Sequence, residues 1–166
     1  MNFSLLGRNC AGAQGYYPAM ATTSSGKVSD PAVIRRVLTT PATWAVVGLS
    51  TDTTRTAYGV ARWMHDGLGH RIIPVHPRAL EVWGEPGYPS LSQIPDGTVV
   101  AVVDFFVNSH RVGAVVDEAI ANKDRLGIET VWLQLGVIDQ DAATRAIDAG
   151  LDVVMDTCPM IEYPRL

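Results

Sequence analysis

A chain of 166 residues, 47% apolar and 18% charged, has the size and composition of one globular domain with an ordinary core. Its net charge of −4 and pI near 5.4 give no general attraction to nucleic acid, and no apolar run approaches the roughly 20 residues that span a bilayer. Cys10 and Cys158, the only cysteines, lack metal-ligand spacing and give no disulfide framework.

Residues 1–28 are rich in Gly, Ala, Ser and Thr without a sustained period, and are expected to form a flexible extension ahead of a domain spanning 29–166. They also lack the basic start and continuous apolar run of a secretory signal, so a cytoplasmic protein is expected. Asp30 followed by Pro31 is a helix-start signal, and Val33, Ile34, Val37 and Leu38 give the amphipathic helix that ends before Pro41. Strands are expected near 44–49, 71–75, 99–103, 130–134 and 152–155, the middle three being apolar runs suited to burial on both sheet faces. Helical stripes lie between them at Ala57, Val60, Ala61 and Met64, at Val112, Val115, Val116, Ala119 and Ile120, and at Ala142, Ala143, Ala146 and Ile147. Gly127 and Gly150 suit the ends of the last two. The third crossover differs: Pro77, Gly84, Pro86, Gly87, Pro89 and Pro95 leave room for only one turn, at Leu91, Ser92 and Gln93. Repeated strand and crossover units imply an α/β fold with one Rossmann-like domain. Its five-stranded parallel sheet is expected in the order 3-2-1-4-5, with the ligand at the switch point between strands 1 and 4.

The turn after the first strand carries the clearest chemistry. Gly48 leads through Ser50, Thr51, Asp52, Thr53 and Thr54 to a helix N-terminus, where unpaired N–H groups and the helix dipole make an anion site. The nicotinamide fingerprint G-x-G-x-x-G is missing. The second strand ends in Val75, His76, Pro77 and Arg78 rather than in the acid that would hold a ribose 2′-hydroxyl. A nucleotide other than NAD is therefore expected. Four loops should converge at the C-terminal sheet edge: Gly48 to Arg55, His76 to Tyr88, Asp104 to Ser109, and Gln134 to Val137. They offer Arg55, Arg78 and Arg111 for phosphates, Pro74, Val75 and Pro77 for a flat base, and Phe105, Phe106 and Trp132 for an apolar arm. Gln134, an amide at the end of a buried strand, needs partners and is expected to find them on a ligand.

The strings VVGLS, RTAYGVA, IIPVHPR, YPSLSQIP, VVDFFVNS, TVWLQLGV and AGLDVVMDTCPMIEYPRL, in that order, resemble the small stand-alone CoA-binding proteins. Those proteins are similar to the CoA-binding domain of the succinyl-CoA synthetase α-subunit. The resemblance runs from about residue 30 to Leu166 and implies a Rossmann-like protein that binds coenzyme A or acyl-CoA without turnover of its own. It implies a pyrophosphate on Gly48, Ser50, Thr51 and Arg55 and an adenosine beside Val75, His76, Pro77 and Arg78. The pantetheine would pass Phe105, Phe106, Val107, Gln134, Leu135 and Gly136, with Tyr58, Tyr88 and Trp132 completing the ligand set. Val107 stands where members often carry Arg, and His76 where a smaller polar residue is usual. The partner expected is CoA or acyl-CoA, with a homo-oligomer or a protein partner left open.

Other chemistries fit less well. Gly48, Leu49 and Ser50 half-match a nucleophile elbow with Asp104 and His110 as triad partners, but the second Gly is missing. His65, His70, His76 and His110 form no metal-ligand pair, so no metal is expected. An NAD(P) oxidoreductase or acyl-CoA ligase component is the alternative enzyme reading, and a partner-binding subunit with a vestigial pocket is the other. Asp117 and Glu118 are expected to be solvated helix charges. Cys158, just beyond the last strand, is expected to be either a redox thiol able to pair with CoA or a small hydrophobe beside Pro159.

Overall fold

The computed structural model describes residues 24–166. Five parallel strands, β1 (Thr43–Val47), β2 (Arg71–Val75), β3 (Val102–Phe105), β4 (Thr130–Leu133) and β5 (Asp152–Val154), form one sheet. Four longer helices, α1 (Pro31–Thr39), α2 (Thr56–Leu68), α3 (Ser109–Leu126) and α4 (Gln140–Asp148), and the short α5 (Pro159–Glu162) cover its faces. Among the described residues no helix is long and apolar enough to cross a membrane.

The caps follow the sequence signals. Asp30 accepts the Ala32 N–H at 2.9 Å and Pro31 occupies the first turn of α1, while α3 closes at Gly127 in the left-handed conformation, φ 71°. Alternation along each strand divides the core in two. Trp44, Val46, Ile72, Val102, Trp132 and Val154 face α1, α2 and α5. Ala45, Val47, Ile73, Val103, Phe105 and Val131 face α3 and α4. The apolar stripe of α2, Ala57, Val60, Ala61 and Met64, is buried as its spacing predicts. Leu91–Gln93 forms the single 3₁₀ turn left open by the surrounding prolines.

Three expectations are corrected. The strand order is β2-β1-β3-β4-β5 rather than 3-2-1-4-5, so the switch point lies between β1 and β3. Pro74 supplies the reason. Its missing N–H faces away from β1, where Tyr88 N–H donates to its carbonyl at 3.0 Å, so β2 suits an edge and not an interior position. The third strand begins later than expected, because Val99 is exposed and the strand continues through the buried Asp104. Residues 24–28, expected to lie outside the fold, run along the free edge of β5. Ser24 Oγ donates to Leu151 O, Ser25 N to Asp152 Oδ1, and Val28 bridges Val153. An edge strand has backbone groups to satisfy, and this strip takes some of them. The remaining residues of the expected extension, 1–23, lie outside the described residues.

Candidate functional site

The reversal of strand order opens a crevice of about 850 Å³ over the ends of β1, β2 and β3. Gly48 forms part of its wall. It leaves β1 at φ +100°, and a Cβ there would stand 2.6 Å from the Phe106 carbonyl oxygen. Gly48 N–H donates to Val75 O and Phe106 N–H to Val47 O, so the three strand ends are tied together where the crevice begins. The next turn is fixed by Asp52, whose carboxylate accepts from the Thr54 hydroxyl at 2.6 Å and the Thr54 N–H at 3.0 Å. Those two bonds hold its carboxyl below the usual range, and Arg55 Nε stands 3.7 Å away.

Positive potential comes from one helix start without a side-chain cap and three guanidinium groups. Asp30, Asn108 and Asp139 cap α1, α3 and α4, whereas α2 starts at Arg55 with no side-chain cap. Its first turn, Thr56 and Ala57, lines the crevice, so the dipole of a 13-residue helix points at any anion there. Arg55, Arg78 and Arg111 surround the same space from α2, the end of β2 and the first turn of α3. His76 positions the second of these, since its Nδ1 accepts the Arg78 N–H at 3.2 Å while its own N–H donates to Tyr88 O. Such a crevice can hold a phosphate chain on N–H groups and arginines, with an apolar surface from Val75, Pro77, Phe106 and Val107 beside it.

Of the expected ligand residues, Gly48, Ser50, Arg55, Val75, His76, Pro77, Arg78, Phe106 and Val107 meet in this crevice. The others do not line it. Thr51 is exposed. Tyr58 turns away to accept a hydrogen bond from Trp83 Nε1 at 2.9 Å, and Tyr88 packs beside β2 against the core. Phe105 is fully buried under α3 and α4, and Trp132 is fully buried on the opposite face with its indole N–H on Thr157 O. Gln134 finds its partner within the protein: Nε2 lies 2.8 and 3.0 Å from the Asp104 carboxyl oxygens. Burial pushes that carboxyl up to about 8, against the opposing effect of Gln134, and hides it from the triad imagined for it. Leu135 and Gly136 lie farther along the sheet edge, where Gly136 N–H donates to Asp156 Oδ1. Cys158 is a buried member of the core whose thiol is pushed up by burial, which suits the packing role and opposes thiolate chemistry.

Pro89, Ser90 and Glu118 line the crevice from outside the four expected loops. Asn108, which caps α3, was open to detection because it falls in the expected loop from Asp104 to Ser109. Glu118 was not, because a helix carboxylate looks alike in solvent or against a neighbour; here it accepts from Ser92 N–H and Oγ.

Comparison with known proteins agrees with this geometry. The chain is 32% identical over 132 residues to the uncharacterized protein YneT of Bacillus subtilis, covering 80% of this chain and 93% of that one. A hypothetical protein from Pyrococcus horikoshii OT3 superposes with a TM-score of 0.71 at 33% identity, over 87% of this chain and 96% of its own. The dinucleotide-forming acetyl-coenzyme A synthetase 1 of Ca. Korarchaeum cryptofilum, solved with phosphate and ADP, shares the fold at a TM-score of 0.60 and 23% identity. That match covers 74% of this chain and 27% of the synthetase. The family described as CoA binding domain matches residues 42–164, from the start of β1 to the C-terminal turn, and the chain belongs to that family.

Proposed function

We propose that the protein binds coenzyme A in the crevice between β1 and β3 and carries out no turnover of its own. The observation that carries this reading is the α2 N-terminus, free of a side-chain cap, lining one crevice together with Arg78 where the Gly48 and Phe106 main chains meet. The pyrophosphate takes the Ser50 to Ala57 turn, and the adenine lies on Val75 and Pro77. The 3′-phosphate meets Arg78, and the pantetheine leaves past Phe106 and Val107. NAD fits poorly, since β2 ends on an imidazole and a guanidinium where its ribose asks for a carboxylate. Family membership supports the same ligand.

Titration calorimetry with CoA, dephospho-CoA and NAD tests the reading. A charge-assisted phosphate contact contributes about 1.5–3 kcal/mol, so Arg78→Ala should weaken CoA about tenfold or more and leave dephospho-CoA nearly unchanged. Equal losses for the two would place the 3′-phosphate elsewhere, and tighter binding of NAD than of CoA by the parent protein would overturn the assignment.

A further inference from the structure

A second cavity of about 710 Å³ opens on the same C-terminal edge of the sheet, between α1, the ends of β4 and β5, and α5. Its walls include Ala32 and Ile34 from α1, Leu135 beyond β4, Met155 beyond β5, and Ile161 from α5. Leu135, 60% exposed, and Ile161, 38% exposed, leave apolar surface uncovered at its rim. The charged groups around it each make a hydrogen bond within the protein, and Arg165 and Glu162 form an ion pair. Arg35 donates to Leu166 O, Arg165 to Glu162, Thr157 Oγ1 to Glu162, and Gly136 N–H to Asp156. An aliphatic chain entering this space leaves these bonds in place and meets the apolar walls, while the Arg35 guanidinium stays exposed at the rim.

The cavity and the nucleotide crevice are neighbours along one edge. Phe105 pairs with Leu133, so Val107 at the rim of the crevice and Leu135 at the rim of the cavity lie two residues past paired positions on adjacent strands. From β1 to β5 is three strand spacings, about 14 Å. An extended pantetheine arm has about the length of four to five peptide units, roughly 15 Å. The mouth beside Leu135 is therefore within reach of the thiol of a CoA whose phosphate is held at the α2 N-terminus. We propose that this cavity receives the acyl group of a CoA thioester bound in the β1/β3 crevice, and that the group is an uncharged aliphatic chain. The proposal rests on the CoA reading above and adds the class of thioester to it.

Calorimetry on the full chain with CoA, octanoyl-CoA and succinyl-CoA separates the two. Each buried methylene is worth about a fourfold gain, so octanoyl-CoA should bind at least about tenfold tighter than CoA, and succinyl-CoA no tighter. Ile161→Asp and Ala32→Trp change exposed positions away from the crevice, and circular dichroism checks that both variants fold. Each should erase the octanoyl gain while leaving CoA affinity within about twofold. Equal binding of CoA and octanoyl-CoA by the parent, or a gain that survives both substitutions, removes the acyl cavity and leaves the CoA reading intact. A change in sedimentation with the substitutions in place of a change in affinity would make the cavity a joint between copies and overturn the proposal. Failure of CoA itself to bind would overturn both.

Discussion

At Gly48 the main chain passes so close to Phe106 that any Cβ collides with a backbone oxygen, and φ +100° is strained for every other residue. Gly48→Ala should therefore cost about 1–3 kcal/mol of stability and weaken CoA binding, both read from urea unfolding and titration; a neutral substitution would mean the crevice wall yields. Asp104 makes a different demand. Its carboxyl titrates near 8 in the fold, raised by burial from 3.8, so its contribution to stability is complete below pH 3.8 and is lost as pH climbs toward 8. His70 works in the opposite direction. Burial pushes its imidazole from 6.5 down to about 4, so its contribution is complete above pH 6.5 and is lost as pH falls toward 4. Between pH 6.5 and 8 only the Asp104 slope remains of the two. Asp104→Asn, which keeps an acceptor for Gln134, should flatten the decline in melting temperature across that window, and an unchanged slope would show that Asp104 is ionised throughout. The same residues mark a limit of reading sequence: Phe105, Trp132 and Gln134 sit at strand ends, where an inward and a ligand-facing side chain have identical composition. Only the pleat decides between them, and β3 and β4 turn all three inward.

Among the elements, the strip at residues 24–28 was hidden because Ser, Gly and Lys carry no apolar period; it is held by main-chain and hydroxyl bonds to β5. A chain beginning at Ser29 loses those bonds and should be about 1–3 kcal/mol less stable than one beginning at Ser24, measured by urea unfolding. Equal stability would make the strip an ornament of the edge. The helices were legible almost residue by residue, since their apolar stripes and caps are local features. Strand order was less so. A crossover of given length reaches either side of β1, and the decisive residue, Pro74, reads in the sequence equally as a surface for a base and as a missing donor on an edge.

Over the whole molecule, the parallel sheet places every loop that follows a strand on one edge, and the change of direction after β2 splits that edge into a crevice. The turn from Gly48 to Arg55 and the run from Val75 to Arg78 were legible as ligand segments because strand-to-helix turns and strand ends carry local signals. Glu118 joins them only because α3 runs along the crevice. The central claim is that CoA occupies this one crevice, and amide chemical-shift mapping by ¹⁵N NMR tests it most directly. Adding CoA should move the amides of Ser50 to Ala57, Val75, His76 and Arg78, and Phe106 to Arg111, and leave those at the opposite sheet edge, around Arg71 and Thr130, in place. Shifts confined to that opposite edge, or none at saturating CoA, would contradict it.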